Sequence, residues 1–241
     1  MIGAAVAGRA AGRVARATVT TWSALGEARL ARHRPAPARA QALAATMAEL
    51  CAIHAVEVVV HGELPDWPCL LVANHRSYID ALAILARVPA LPVARREVAA
   101  WPIVGPAAVA AGVLFVDDAG AARARLVRAI AATLASGASV LNFAEGAAVD
   151  ATRRPRFHRG SFGAAMLAGV PVVPVAVAFA EPGLAWSTGV PFLPNYWRLA
   201  TRHLQARVEL RVGDALWPRP GDRAEDLARR AERAIGDALR G

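Results

Sequence analysis

The stretch CLLVANHRSYIDALAILAR, residues 69–87, passes from a strand pattern to a helix pattern within a few residues. Its first part, CLLVA, is a short and continuous apolar run, as is typical of a buried strand in a parallel sheet. Ser77 is a favoured N-cap residue, and residues 77–87 have the pattern of a helix. The same order of apolar strand and helix recurs along the chain, which predicts an α/β fold.

The elements predicted on either side of this stretch complete the fold. We predict further strands at residues 56–60, 91–94, 113–116, 139–144, 172–179 and 207–212. We predict helices at residues 38–54, 120–135, 161–168 and 222–240, and a broken helical stretch at 97–111. Asp222 and Glu225 are spaced as a capping box at the start of the last helix. The prediction is a single α/β domain with a mainly parallel sheet flanked by helices.

Length and composition exclude several classes of protein. A chain of 241 residues can bury a core without metal or disulfide crosslinks. Hydrophobic residues make up 56% and charged residues 20%, which excludes a disordered chain. Cys51 and Cys69 cannot form a disulfide framework and do not have metal-ligand spacing. They are typical of a protein in a reducing cytoplasm, and we expect no bound metal.

The net charge indicates which classes of partner the protein could bind. The formal net charge is +9, and all 28 basic residues are arginine. Planar guanidinium groups suit phosphate, so nucleic acid, anionic lipid and a phosphorylated substrate are all candidates on charge alone. No RNA- or DNA-binding motif accompanies the charge, so we expect no nucleic-acid partner.

Two stretches without a charged residue, 98–116 and 161–180, are long enough to cross a membrane. Each contains prolines and glycines close together, which usually end a helix. We therefore predict that each stretch folds as a buried helix, a turn and a buried strand.

Residues 1–37 differ from the rest of the chain. Residues 1–26 contain no acidic residue, and Arg9, Arg13 and Arg16 recur at helical spacing. An arginine-rich amphipathic helix can lie on anionic lipid. The alternatives are a frayed surface helix, a transit peptide and a misassigned start. We predict a basic, amphipathic helical appendage at residues 1–37, with a linker at 33–37, followed by the main domain at 38–241.

The segment NHRSYID, residues 74–80, carries the candidate chemistry. On one ideal helix, His75 and Asp80 would point about 140° away from each other. They can meet only if His75 lies in the turn before the helix and Asp80 lies in its first turn, after Ser77. A neutral histidine that is oriented by a carboxylate is a competent general base. The structural alternatives are that Asp80 only caps the helix and that His75 is an ordinary loop residue.

Four short motifs occur in order between about residues 55 and 215. The first matches at Asn74, His75 and Asp80, and the second at Gly112, Phe115 and Val116, with Asp118 where arginine is usual. The third matches at Phe143, Glu145 and Gly146, with departures at Ala144, Ala147 and Ala148. The fourth is the apolar segment 170–175. In this order the motifs resemble the glycerolipid acyltransferases related to lysophosphatidate (1-acylglycerol-3-phosphate) acyltransferase.

The resemblance implies transfer of a fatty acyl group from acyl-CoA or acyl carrier protein to the hydroxyl of a lysophospholipid, in phospholipid biosynthesis. His75 would remove the hydroxyl proton as the oxygen attacks the thioester, and Asp80 would orient the imidazole and stabilise its charged form. No cofactor and no covalent enzyme intermediate is implied. The resemblance and the basic N-terminus together predict a peripheral protein that binds an anionic membrane surface at the cytoplasmic face of the cell membrane.

The resemblance and the neighbouring charges also predict the substrate-binding residues, which are Asn74, Arg76, Phe115, Asp118, Phe143, Glu145, Gly146, Arg156 and Arg159. Asp118 and Ala148 replace the arginines that are usual in the second and third motifs. A nearby basic run could hold a phosphate instead, and a 1-acylglycerol-3-phosphate-like acceptor is the leading hypothesis; the run comprises Arg153, Arg154, Arg156 and Arg159. The alternatives are an acceptor with less negative charge, such as lyso-ornithine lipid or a glycolipid, and a catalytically weak homologue that binds lipid.

Overall fold

The computed structural model describes residues 2–116, 120–146, 156–185, 191–202 and 205–240. The helices are α1 (Ile2–Leu30), α2 (Ala36–His54), α3 (Tyr78–Leu85), α4 (Val104–Ala111), α5 (Gly120–Ala135), α6 (Gly160–Ala168), α7 (Phe192–Arg202) and α8 (Ala224–Ala238). The strands are β1 (Val56–His61), β2 (Leu70–Ala73), β3 (Ala90–Arg95), β4 (Leu114–Val116), β5 (Ser139–Phe143), β6 (Val172–Phe179) and β7 (Ala206–Val212). Short 3-10 helices lie at Arg96–Ala100 and Pro182–Leu184.

The strands form one 7-stranded sheet in the order β1-β7-β6-β2-β5-β3-β4. Among the described residues, neighbouring strands are parallel throughout this order except for β6 and β7. Every residue of β2, in the middle of the sheet, is buried, as expected of a parallel strand covered on both faces. The predicted α/β fold with a mainly parallel sheet is confirmed.

Helices cover both faces of the sheet. On one face α3 packs over a core that includes Leu71, Leu141 and Val175. On the other face α5, α6 and α8 pack over a core that includes Leu70 and Val140. Successive residues of a strand point to opposite faces, so β2 supplies one leucine to each core. Full burial of such a side chain stabilises the fold by about 1.5–3 kcal/mol.

The carboxyl ends of β2 and β5 lie side by side at the middle of the sheet, where Ala73 is paired with Phe143. From there the chain leaves β2 for α3 on one face and leaves β5 for α6 on the other face. Neighbouring parallel strands that diverge in this way open a crevice at their carboxyl ends, which is where open α/β sheets bind substrates. The residues that follow Ala73 and Phe143 therefore flank this crevice.

Most of the predicted elements are confirmed. The strand ends lie within one residue of the predicted ends. The uncharged stretches 98–116 and 161–180 contain α4 followed by β4 and α6 followed by β6, as predicted. Within the described part of the chain, no helix is both long enough and apolar enough to cross a membrane.

The predicted capping box of Asp222 and Glu225 is wrong. Helix α8 begins after Arg223, whose backbone N–H is accepted by Asp226 at 2.8 Å. Asp222 instead forms an ion pair with Arg230 at 3.1 Å. The helix begins two residues later than predicted, because Asp222 belongs to the turn that precedes it.

Helix α7 is not apparent from the sequence pattern. Pro194 lies in its first turn, and the preceding residues are rich in glycine and proline, which is typical of a loop. In the structure, Phe192 and Tyr196 pack against aromatic side chains of the domain. Leu193 and Trp197 are exposed on an adjacent side of the helix, about 100° around its axis. Partial burial of Phe192 and Tyr196 stabilises a helix that its local sequence disfavours.

The predicted N-terminal helix is present as α1. It contacts α2, α4 and α7. Ala17 and Leu25 are buried on its inner side, whereas Val19 and Trp22 are exposed on its outer side. The helix therefore packs against the domain with one side and presents apolar side chains to the surroundings with the other.

Candidate active site

The imidazole of His75 and the carboxylate of Asp80 are in direct contact. Nδ1 of His75 lies 2.9 Å from Oδ2 of Asp80. The contact forms because His75 lies in the turn after β2, whereas Asp80 is the third residue of α3 after its N-cap, Ser77. This is the local geometry that the spacing of the two residues predicts.

The Asp80 carboxylate also closes the first turn of α3. Oδ2 accepts the backbone N–H of Arg76 at 2.5 Å and that of Ser77 at 2.8 Å. Asp80 is fully buried, so these donors and His75 take the place of water around Oδ2. Capping the helix and orienting His75 are therefore two roles of one carboxylate, and not alternatives.

The ring of His75 is also held by Phe143, at the end of β5. The two rings are stacked, with centroids 4.1 Å apart and planes inclined by 21°. Because Nδ1 donates its proton to Asp80, the basic lone pair is on Nε2. The side chain of His75 is 22% exposed, so the crevice gives access to it.

Asn74, which was predicted to bind substrate, is hydrogen-bonded to the neighbouring strand β6. Its Nδ2 donates to the carbonyl of Val177 at 2.9 Å, and its Oδ1 accepts the N–H of Val177 at 2.8 Å. Asn74 is buried, so its amide is used to tie the end of β2 to β6. It positions the turn that carries His75.

Glu145 and Arg76 form a buried ion pair between the loops after β5 and β2. Oε2 of Glu145 accepts the backbone N–H of His75 at 2.9 Å and pairs with Arg76 at 3.2 Å. Burial raises the pKa of Glu145, while the hydrogen bond from His75 and the charge of Arg76 oppose this rise. The crevice therefore contains a carboxylate that contacts the main chain of the proposed base.

Gly146 follows Glu145 in a backbone conformation that favours glycine, with φ of +80°. A Cβ at this position would lie 3.0 Å from Nε2 of His158, which packs over the loop. The backbone N–H of His158 donates to the carbonyl of Ala144 at 2.9 Å. The sequence assigned no separate role to His158. Its position beside Gly146 is seen only in the folded chain, where residue 158 lies against the loop after β5.

Phe115 is not beside His75. It lies on β4, which β3 and β5 separate from β2, so about 14 Å of sheet lies between β4 and β2. The guanidinium of Arg96 lies over its ring, 6.0 Å from the centroid. Asp118, two residues beyond the end of β4, lies outside the described residues.

The predicted phosphate-binding arginines differ in their surroundings. Arg153 and Arg154 lie outside the described residues, and Arg156 is exposed. Arg159 forms an exposed ion pair with Glu225 in the first turn of α8. Its charge is therefore partly neutralised by the protein itself.

An aromatic cluster that the sequence did not reveal surrounds Tyr78, the first residue of α3. Phe192 and Tyr196 of α7 each lie 5.8 Å from Tyr78 between ring centroids, and Trp101 stacks on Phe192 at 4.3 Å. The hydroxyl of Tyr196 is hydrogen-bonded to Nε2 of His54 at 3.1 Å. Helix α3, which carries Asp80, is thus packed against α7 through Tyr78.

Residues 56–178 match the family profile described as Acyltransferase, and this range contains His75, Asp80 and Glu145. The chain belongs to the acyltransferase family. This acyltransferase is 35% identical over 202 residues to the lyso-ornithine lipid O-acyltransferase of Pseudomonas aeruginosa. That alignment covers 81% of this chain and 77% of the relative.

Two further similarities agree with the family. The acyltransferase is 30% identical over 133 residues to human 1-acyl-sn-glycerol-3-phosphate acyltransferase alpha, which covers 52% of this chain and 47% of that protein. Its fold is similar to the crystal structure of the 1-acyl-sn-glycerophosphate (LPA) acyltransferase PlsC from Thermotoga maritima. The TM-score is 0.70 at 19% identity, with 100% of this chain and 98% of the other covered. The family predicted from the four motifs is therefore confirmed.

Proposed function

We propose that this acyltransferase moves a fatty acyl group from acyl-CoA or acyl carrier protein to the hydroxyl of a lyso-lipid with an amino-acid headgroup, such as lyso-ornithine lipid. His75 acts as the general base and Asp80 orients it. The observation that carries the reaction is the contact between His75 and the buried Asp80 in the crevice at the end of β2.

In the proposed reaction the acceptor hydroxyl gives its proton to Nε2 of His75 while its oxygen attacks the thioester carbonyl carbon. A C–O bond forms and a tetrahedral oxyanion results. Its collapse breaks the C–S bond, and the departing sulfur takes the proton from His75, which returns to its neutral form. The carboxylate of Asp80 stabilises the transient imidazolium, because opposite charges attract strongly where water is excluded.

The choice of acceptor rests on charge. The phosphate of lysophosphatidate carries nearly two negative charges and is normally held by arginine forks. This chain has Asp118 and Ala148 at the usual arginine positions, and Arg159 is already paired with Glu225. An ornithine headgroup carries one carboxylate and one ammonium, so it requires fewer arginines, and Asp118 would attract its ammonium. The relative at 35% identity, named for lyso-ornithine lipid, supports this choice.

A phosphate-bearing acceptor, the leading hypothesis from the sequence, is the second candidate. The exposed Arg156, near the loop after β5, favours it, as does the similarity to a 1-acyl-sn-glycerol-3-phosphate acyltransferase. The shorter span of that similarity, 52% of the chain, makes it the weaker support.

The test is competition between lyso-ornithine lipid and lysophosphatidate, with thioester consumption measured for acyl-CoA and for acylated carrier protein. We expect the wild type to prefer lyso-ornithine lipid and Asp118→Arg to shift the preference toward lysophosphatidate. A wild type that prefers lysophosphatidate, with a KM raised by neutralising Arg156 and Arg159, would overturn the proposed acceptor and leave acyl transfer intact.

We also propose that the protein binds the cytoplasmic face of the cell membrane peripherally, with α1 and α7 toward the lipid. These helices are in contact, and each exposes apolar side chains, namely Val19, Trp22, Leu193 and Trp197. Helix α7 has no acidic residue, and α1 has none before Glu27. Exposed tryptophan next to arginine is typical of a helix at an anionic interface.

A further inference from the structure

We infer that Glu145 is a positioning residue, which fixes the main chain of His75, and is not a contact of the acceptor. The inference rests on the acyl transfer proposed above, in which His75 is the base. It replaces the substrate-binding role that the sequence motif predicts for Glu145.

The first argument is the register of the sheet. β2 and β5 are paired up to Ala73 and Phe143, and His75 and Glu145 each lie two residues beyond this last pair. At this point the two chains diverge toward α3 and α6, so backbone pairing between them ends. A backbone N–H left without a partner in a buried place is costly. Oε2 of Glu145 accepts that N–H from His75 at 2.9 Å, so a side chain supplies the missing acceptor.

The second argument is that both polar groups of the His75 main chain are bound by one ion pair. Glu145 accepts the N–H, and Nη1 of Arg76 donates to the carbonyl of His75 at 3.1 Å. Arg76 and Glu145 are joined to each other at 3.2 Å. The pair therefore fixes the peptide groups on both sides of the His75 Cα, while Asp80 and Phe143 fix its ring.

The third argument is the burial of the carboxylate. The side chain of Glu145 is 5% exposed, and Oε2 already receives two donors. An acceptor hydroxyl at Oε2 would compete with the His75 N–H and with Arg76 for the lone pairs of this oxygen.

The test is steady-state kinetics of Glu145→Gln and Glu145→Asp, with the lyso-lipid that the wild type uses best as the varied substrate. We expect Glu145→Gln to lower kcat about 10- to 100-fold, as for a misplaced catalytic group, with the acceptor KM unchanged. Glu145→Asp keeps the charge but is too short to reach the His75 N–H, so it should also lower kcat at an unchanged acceptor KM.

Asp237→Asn is the matched control, because it removes the carboxylate of an exposed ion pair, with Arg240, on α8. It should behave as the wild type does. If Glu145→Gln does not fold, Arg76→Gln tests the other member of the ion pair. It should show the same loss of kcat at constant KM. An acceptor KM raised tenfold or more at constant kcat, in either variant, would overturn the inference and leave acyl transfer standing.

A measurement without substrate separates this inference from the proposed function. Hydrogen exchange of the His75 amide, followed by NMR, should be at least about tenfold faster in Glu145→Ala, because the N–H loses its acceptor. Unchanged exchange in the folded variant would overturn the inference. A wild type that acylates no lyso-lipid would contradict the proposed function, while the exchange rate would still decide whether Glu145 holds His75.

Discussion

Nδ1 of His75 lies 2.9 Å from Oδ2 of Asp80 because the end of a strand and the start of a helix meet between them. The carboxylate that holds the imidazole also caps the helix at Ser77. Orientation of the proposed base and closure of the first turn of α3 therefore depend on the same carboxylate. A change that frays this turn should also release His75.

We expect His75→Ala to lower acyl transfer about 10²- to 10⁴-fold while the fold is retained, since the general base is lost. Asp80→Asn should also be severe, because an amide can orient the ring but cannot offset the charge of the imidazolium. Thioester consumption together with circular dichroism checks both variants. Turnover near the wild-type rate in folded His75→Ala would contradict the mechanism.

Asn74→Ala should destabilise the protein, because it leaves the N–H and the carbonyl of Val177 without their partner. The expected loss is about 1–3 kcal/mol for each unpaired group, measured as the free energy of unfolding in urea. Ser136→Ala is the control, since it removes an exposed hydroxyl bonded to the carbonyl of Thr133 and should change stability by no more than about 0.5 kcal/mol. Equal stabilities of the two variants would contradict the buried role of Asn74.

Comparison of Gly146→Ala with Gly137→Ala distinguishes the cost of a positive φ from the effect of a contact between the new Cβ and His158. Both glycines have positive φ, +80° and +89°, so each substitution should cost about 1–2 kcal/mol of stability. Only at Gly146 would the new Cβ also meet His158, at 3.0 Å, whereas at Gly137 the nearest atom is 3.8 Å away. We expect only Gly146→Ala to lower kcat, and an equal effect of both variants on kcat would count against the loop packing described for His158.

Stability should fall in mild acid because of His54. Burial, and then the charge of Arg13, lowers the pKa of His54 from 6.5 to about 4. The unfolded chain therefore binds a proton that the folded chain does not, so this stability is present above pH 6.5 and is lost as the pH falls toward 4. The effect is at most about 3 kcal/mol. Chemical denaturation across this range should show a weaker pH dependence in His54→Gln and an unchanged one in His33→Gln, an exposed control.

Trp22→Ser and Trp197→Ser should weaken binding to anionic vesicles, because each removes an exposed ring from the proposed lipid-facing side. Point substitutions are preferable to removing α1, since Leu25 is buried and Thr20 donates to Glu49 of α2 at 2.8 Å. Trp67→Ser is the control, because this tryptophan is also exposed but precedes β2, at the amino end of that strand. Equal loss of vesicle binding in all three would argue against a specific membrane face.

The sequence by itself determined the elements whose signal is local. The apolar runs at β2 and β6 are continuous because these strands are covered on both faces, and such runs are read directly from the chain. The contact between His75 and Asp80 is also local, since the two residues are five apart in the chain and the contact depends on the N-cap at Ser77. The acyltransferase family follows from motifs of the same kind.

The tertiary structure alone decided the contacts between distant parts of the chain. Glu145 is 70 residues from His75, and Val177 is 103 residues from Asn74. These pairs meet only because β5 and β6 lie on either side of β2, an order that no local pattern encodes. Helix α7 also depends on distant contacts, since Phe192 and Tyr196 pack, partly buried, against Tyr78 in spite of an unfavourable local sequence. Periodicity reports how a segment is buried, whereas strand order is set by the packing of the whole chain, which is why Glu145 could be found from its motif but its partner could not.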